Sequence, residues 1–428
     1  MERNQVTKND PETGKQHISH KHERASLWRN RDYMLLWSGQ VVSNMGSQVS
    51  QLAFPLFILL LTHSPVQAGL AGALRALPYL IFSLPAGALI DRWDRKRVMI
   101  LCDSGRALAL GSIPVALAFG LLTIAQLFVV SFIEGTLFVF FNIAEVACLP
   151  RVVLKEQLPA ANAQNLATEG ITTLVGPPLS GILYSIAYTL PFLADAVSYV
   201  VSVFSLFFIR TKFQGERVAA RRSLWVEIKE GLSWLWHHPI IRFMAILTGG
   251  NNLLGAGSVL VIIVLAQHMH ASPFTIGLIF AIGGIGGIVG AIIAPPIQRR
   301  VSFGQAIIGT SWLFGLFTLL YIFAPNPLLL GIVTALFFIT GPTYNVVSVS
   351  YRLTLIPDEL QGRVNSAFRL IAFCGQPLGL AMTGVMLQTI NTTPTLLIMA
   401  AGLLALALMA TLNRHVRNAP KIAEIQQM

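Results

Sequence analysis

From about Tyr33 to about Leu412 the chain is a succession of long apolar runs separated by short polar breaks. As α-helices rising about 1.5 Å per residue, runs of roughly twenty residues cross a hydrocarbon core of about 30 Å. The pattern predicts twelve spans. The first six run about 33–62, 66–90, 97–121, 124–148, 162–187 and 190–209. The second six run about 240–267, 273–297, 303–324, 327–351, 363–389 and 392–413. Pro and Gly fall inside many of them, where neighbouring helices can re-satisfy the backbone groups they free.

The breaks form two classes that alternate along the chain. "THSPVQ", "SIAYTLP", "HMHASP", "APNP" and "QTINTTP" hold no Lys or Arg. The other class holds "DRWDRKR", Arg151 with Lys155, the stretch "RTKFQGERVAARRSLWVEIK", Arg299 with Arg300, and Arg352 with Arg363. Positive loops stay on the cytoplasmic side, so both termini are expected inside, in a multi-pass plasma-membrane protein of bacterial type. This accounts for the net charge of +11 without nucleic acid, in a chain that is 54% hydrophobic and only 11% charged. Cys102, Cys148 and Cys374 all lie in apolar segments at unrelated spacings, which fits soft core filler rather than a disulfide framework or zinc site. The first 26 residues are polar and aperiodic, a solvated tail rather than a signal peptide. Its His17, His20 and His22 are read as part of that tail and not as metal ligands.

The halves repeat. "HSPVQAGLAGALRALPYLIFSLPAGALIDR" (63–92) aligns without gaps on "ASPFTIGLIFAIGGIGGIVGAIIAPPIQRR" (271–300). Ser64–Pro65 meets Ser272–Pro273, Gly69 meets Gly277, Arg92 meets Arg300, and upstream Asn44 meets Asn252. Further on, "GPPLS" (176–180) resembles "GQPLG" (375–379). The expected organisation is a tail 1–32, a six-helix half 33–209, a cytoplasmic linker 210–239, a second six-helix half 240–413 and a tail 414–428. Parallel duplications of this kind are common among transporters, with substrate held near the midplane between the halves.

The loop between spans two and three carries Gly87, Asp91, Arg92, Arg95 and Lys96 in the spacing Gly, three residues, Asp-Arg, two residues, Arg-[Lys/Arg]. On this motif and the overall pattern the chain resembles the major facilitator superfamily over nearly its whole length. "RNRDYMLLWSGQVVS", "GALRALPYLIFSLPAGALIDRWDRKRVM" and "LIPDELQGRVNSAFRLIA" are similar to the macrolide-efflux branch of proton-coupled drug exporters, and siderophore exporters resemble this branch as well. The resemblance implies an all-α fold of twelve transmembrane helices in two pseudo-symmetric halves, working by alternating access. It implies that Asp91 meets the start of the eleventh span, near Arg363, when the cytoplasmic side closes, where a helix N-terminus favours a carboxylate. The basic residues of the loop would brace neighbouring helix ends and lipid phosphates. Asp94 stands where the pattern usually has a second Gly. "GPPLSG", with Gly176, Pro177 and Gly181, partly matches a Gly-Pro pattern of exporters, and equally suits close helix packing.

Ionisable groups inside a membrane are costly and need a partner or a purpose. Glu134 lies about ten residues into span four, near the midplane, and is the leading candidate for proton coupling or else the partner of a neighbouring Arg. Asp195 and Glu169 are weaker coupling candidates, and Glu145 suits an entrance or gate. Asp103 and Arg106 can pair at i, i+3, and Arg75 and Arg369 are read as counter-charges. Span one carries Gln40, Asn44, Ser47, Gln48 and Gln51 on one side, a stripe suited to a cavity wall. The resemblance puts spans one, four, seven and ten around the cavity, adding Phe138, Asn252, Tyr344 and Ser348. Many relatives carry Asp where this chain has Ser47, which shifts weight to Glu134. With no Arg or Lys near the midplane of those four spans, the cavity is expected to be sparsely charged and to suit amphipathic compounds.

The expected protein is therefore a monomeric secondary transporter and not an enzyme. It exports amphipathic small molecules of drug or macrolide type against a proton gradient, without a cofactor, and its partners are substrate, protons and membrane lipid. An exporter of a native metabolite such as a siderophore or lysolipid is the alternative. A membrane-embedded enzyme or receptor is less favoured: the chain has no Gly-x4-Gly-Lys-[Ser/Thr] loop and no His-Glu-x-x-His helix.

Overall fold

The structure is a computed structural model, and it describes residues 27–211, 213 and 224–419. The tail histidines, residues 212 and 214–223 of the linker and the end of the second tail lie outside the described residues. All regular elements among the described residues are helical. In the first half these are α1 (Arg31–Thr62), α2 (Pro65–Ile90), α3 (Arg95–Ala118), α4 (Ile124–Val152), α5 (Leu158–Ile186) and α6 (Leu190–Phe208). A short α7 (Leu224–His237) leads to α8 (Pro239–Gly255), α9 (Ser258–His268), α10 (Pro273–Arg300), α11 (Phe303–Leu320) and α12 (Pro327–Leu355). Then follow α13 (Gln361–Cys374), α14 (Gln376–Ile390), α15 (Thr392–Leu412) and α16 (Arg414–Arg417).

The helix starts are written locally. Asn30, Ser64, Asp94, Thr123, Ser272, Ser302 and Asn326 each cap an N-terminus with a side-chain oxygen, and Pro65, Pro273 and Pro327 sit in the first turn, where a missing N–H costs nothing. Eleven helical stretches among the described residues are long and apolar enough to cross a membrane. The fifth expected span, α5, has the length but not the composition, because its first half carries Asn162, Gln164, Asn165, Thr168 and Glu169. Spans seven and eleven, expected as continuous, are each two helices: α8 and α9 part around Ala256–Gly257, and α13 and α14 part at Gly375 before Pro377. Large apolar side chains such as Leu101, Leu108, Val115, Phe204 and Phe207 stay exposed on the outside of the bundle, the surface a multi-pass membrane protein offers to lipid.

At the end of the bundle where α1 finishes and α2 begins, the halves share one apolar core. It runs from Leu52, Leu56 and Phe57 through Tyr184 and Phe192 to Leu260, Ile276 and Phe337. At the opposite end, which bears the basic loops, each half keeps its own core: Tyr33, Met99 and Phe141 in one, Met244, Tyr351 and Phe368 in the other. Glycines make the shared end close. A Cβ on Gly181 would stand 2.5 Å from the Pro273 carbonyl oxygen, and one on Gly384 would stand 2.6 Å from that of Pro65. Likewise Gly277 abuts Pro177 and Gly69 abuts Leu380 at 2.5 and 2.7 Å. Since Pro65 and Gly69 align with Pro273 and Gly277, the sequence repeat becomes a two-fold seam, α2 on α14 and α10 on α5. Ser64 seals it further by donating to Gln388 Oε1 at 2.6 Å.

At the open end α7 packs on α13, where a Cβ on Gly231 would lie 2.4 Å from the Arg363 carbonyl oxygen, and Arg363 pairs with Glu230 at 2.7 Å. Both charged side chains are partly exposed, so Glu230→Ala should cost no more than about 1 kcal/mol. A thermal-unfolding comparison in detergent checks this, with a shift of many degrees as the contrary result.

Candidate functional site

Between the halves lies a cavity of about 1210 Å³ that is blind at the sealed end and opens where the basic loops are. Tyr33, Pro150 and Leu158 stand near its mouth, and Phe54, Pro55 and Ala68 at its blind end. The stripe on α1 faces it: Gln40, Asn44, Ser47, Gln48 and Gln51 all belong to its wall, opposite Phe138. Neighbouring helices hold several members in place. Gln48 donates to Thr173 Oγ1 at 3.2 Å, Gln40 to Ser202 Oγ at 3.4 Å, and Trp37 Nε1 to Thr168 Oγ1 at 3.1 Å. Gly176 allows this approach, since a Cβ there would fall 2.4 Å from Gln48 Cβ.

Glu134 is held on both sides. Arg75 Nε donates to its Oε2 at 2.5 Å and Arg106 Nη2 to its Oε1 at 2.7 Å. Arg106 also stands 3.7 Å from Asp103, so α2, α3 and α4 meet through two acids and two bases. The backbone makes the pairing possible: Gly135 lets α4 press on α2, where a Cβ would come 2.0 Å from the Arg75 carbonyl oxygen. The Arg106 guanidinium also lies 4.1 Å from the Tyr199 ring centroid, and the Tyr199 hydroxyl shares a 2.8 Å hydrogen bond with Ser47. Ser47 thus ties α1 to the charge cluster through α6. Of the two sequence readings of Glu134, the geometry displays the paired one. A proton on Glu134 would have to displace a guanidinium.

The other acids divide by position. Asp195 is fully buried away from the cavity, accepting from Ser50 and from Ser198, with Gly46 leaving the room it needs. Glu145 and Glu169 do line the cavity, and neither has a salt bridge or hydrogen bond to its carboxylate among the described residues. In the signature loop Asp91 pairs with Arg95 at 3.2 Å, Arg95 donates to the Ala147 carbonyl at 2.9 Å, and Lys96 to that of Ile209 at 2.7 Å. These bonds lace the ends of α2, α3, α4 and α6 together. Arg92 is exposed, and a Cβ on Gly87 would meet open space. Asp94 caps α3 with an ordinary φ of −68°, so the position asks for no glycine.

The second half contributes differently from expectation. Asn252, Tyr344 and Ser348 are not in the cavity wall. Asn252 donates to the Ala372 carbonyl at 2.7 Å, just before the break between α13 and α14; Tyr344 bonds Thr248 at 2.7 Å; and Ser348 is buried. The wall comes instead from the two breaks, with Ala256, Val259 and Leu260 on one side and Phe373, Gln376 and Leu380 on the other. Arg369 lines it too, and rather than countering an acid it lies 5.6 Å from the Tyr79 ring centroid across the gap between the halves. The expectation of a sparsely charged cavity is therefore corrected: Arg75, Arg106 and Arg369 face it along with Glu134, Glu145 and Glu169. Those arginines come from spans two, three and eleven, which the sequence reading had kept out of the wall. A signal was there in "CGQP", where Gly and Pro together weaken a helix and bend its neighbours inward.

Among the described residues, eleven membrane-length helical stretches and the more polar α5 thus form two seamed halves around a central cavity. The Major Facilitator Superfamily model matches residues 36–351 and 246–427, and the chain belongs to that superfamily. It is 24% identical over 399 residues to the multidrug efflux pump Tap of Mycolicibacterium fortuitum, covering 90% of this chain and 96% of the pump. It is 24% identical over 405 residues to macrolide efflux protein A of Streptococcus pyogenes, covering 92% and 98%. Among solved structures, a bacterial homologue of the iron transporter ferroportin in the inward-facing state superposes with a TM-score of 0.70 at 18% identity, covering 90% of this chain and 98% of that one. A structure titled as such a homologue in the outward-facing state gives 0.60 at 17% identity, covering 89% and 98%.

Proposed function

We propose that this protein is a proton-driven exporter of amphipathic small molecules that works by alternating access, with both termini in the cytoplasm. The observation that carries the reading is the cavity: closed by a shared apolar core at one end and open between two separate cores at the end with the basic loops. With those loops inside, the cavity takes substrate from the cytoplasm or the inner leaflet. The greater likeness to an inward-facing than to an outward-facing structure supports this orientation, and the names of the efflux relatives support export. Amide and aromatic groups beside apolar ones suit a molecule with both characters.

Glu145 and Glu169 are the acids placed for coupling, because each can exchange a proton with the cavity without breaking an ion pair. Inside-out vesicles test this with an imposed proton gradient, no ATP, and dyes, macrolides and siderophores added singly. Accumulation with proton leakage is expected, with the leakage lost in Glu145→Gln or Glu169→Gln and accumulation falling at least tenfold. Accumulation that survives a protonophore would sink proton coupling. The arginines on the wall favour a second reading, an exporter of a native metabolite with acidic groups, and transport of siderophores alone from that panel would establish it.

A further inference from the structure

The first turn of α2, like any helix start, leaves backbone N–H groups in need of acceptors. Pro65 has none to satisfy. Gln67 donates to Ser64 Oγ at 3.4 Å, and Ala68 donates to the Ser64 carbonyl at 3.3 Å. Four residues before Val66 stands Thr62, which ends α1, so the Val66 N–H has no acceptor within its own helix. The other half supplies one. Gln388 Oε1 on α14 accepts from the Val66 N–H at 3.3 Å and from the Ser64 hydroxyl at 2.6 Å. We infer that Gln388 is a latch residue: it caps α2 from across the seam, and so stabilises the sealed form and no other.

The sequence repeat shows that the latch belongs to one flank. At the matching start of α10, the hydroxyls of Ser272 and Thr275 share a 2.9 Å hydrogen bond inside their own helix. Ser185 stands four residues beyond Gly181, as Gln388 stands four beyond Gly384, and it donates back to the Gly181 carbonyl at 2.8 Å. Glycine packing therefore closes both flanks, and the pair α2 and α14 carries a cap in addition. When α14 leaves α2, the Val66 N–H and the Gln388 amide return to water. Removing Gln388 thus weakens the sealed form and leaves the opened form as it was, which shifts their ratio. The effect on the cycle rests on the alternating-access reading.

The test uses the full chain in right-side-out membrane vesicles, with Cys102, Cys148 and Cys374 replaced by Ala and Gln51→Cys on the cavity wall as reporter. The readout is the rate of labelling by a membrane-impermeant maleimide added outside. Gln388→Ala should raise that rate about five- to tenfold, the worth of a helix cap with a second hydrogen bond beside it. Gln388→Glu should bring it back to the wild-type rate or below, because a carboxylate accepts from the same two donors and is favoured at a helix N-terminus. Ser64→Ala should raise it too, and combined with Gln388→Ala no further than Gln388→Ala alone. Thr389→Ala, at a hydroxyl that donates to the Val385 carbonyl of its own helix, should leave it unchanged. An unchanged rate in Gln388→Ala, or labelling in Gln388→Glu as fast as in Gln388→Ala, would overturn the latch. Gly181→Leu, which forces the other flank apart, distinguishes this from failure of alternating access. Labelling that rises there but not in Gln388→Ala removes the latch alone; no labelling in any variant removes alternating access and the latch together.

Discussion

Glu134→Gln should cost on the order of 3–5 kcal/mol of stability, the usual consequence of removing one member of a buried ion pair and stranding the other. Here the stranded charges are two. Arg106 is 3% exposed in its side chain and would retain only Asp103 at 3.7 Å, while Arg75, 28% exposed, would lose its one ion pair. The amide can accept from one guanidinium but brings no charge to balance either. Thermal unfolding in nanodiscs should show a drop of many degrees, with transport lost alongside. Adding Arg75→Gln should recover a large part of that stability, since Asp103 and Arg106 then balance each other. Recovery of stability without transport would assign Arg75 to the substrate as well as to the fold. An unchanged unfolding temperature in the single variant would contradict the ion-pair account and return Glu134 to candidacy as the proton carrier.

Gly181→Leu should act on the conformational equilibrium. Its Cβ would stand 2.5 Å from a main-chain oxygen, which cannot turn aside like a side-chain tip, so α5 and α10 must separate. Overpacking of this kind costs about 1–3 kcal/mol, or roughly five- to 150-fold in an equilibrium, and it falls only on the sealed form. Each half keeps its own packing, so folding should be preserved. In a background lacking Cys102, Cys148 and Cys374, a cysteine at Gln51 should become reactive toward a membrane-impermeant maleimide added from outside. Transport should fall at least tenfold. Gly287→Ala is the matched control, because a Cβ there meets nothing within 4 Å. Labelling from outside that does not increase in Gly181→Leu would show that this seam is not the barrier.

Much of this architecture is written in the sequence because it depends on one-dimensional quantities. Span lengths follow from the thickness of hydrocarbon, helix starts from Asn30, Ser64 and Ser272 acting on their own next turn, and the repeat from a register of Ser-Pro and Gly that can be read by eye. The amide stripe on α1 was equally legible, since residues three and four apart share a face whatever surrounds the helix. Which residue answers which charge is another matter. Glu134 finds Arg75 59 residues and Arg106 28 residues away in the chain because Gly135 lets two helix backbones touch, and no spacing rule encodes that contact.

The same limit explains the second half. Tyr344 and Ser348 share a face of α12, but periodicity leaves open whether that face meets the cavity or a neighbour, and packing against Thr248 and the surrounding core decided for the neighbour. The breaks at Ala256–Gly257 and Gly375 turned two nominal spans into four helices and put Arg369 and Gln376 on the wall. By itself the sequence determined a membrane-spanning, duplicated helical chain and the gathering of its basic loops at one end, because hydrophobic length and loop charge act locally. Only the tertiary structure decided the ion pairs, the composition of the cavity wall and which end is sealed, because those are set by close approach between helices far apart in the chain.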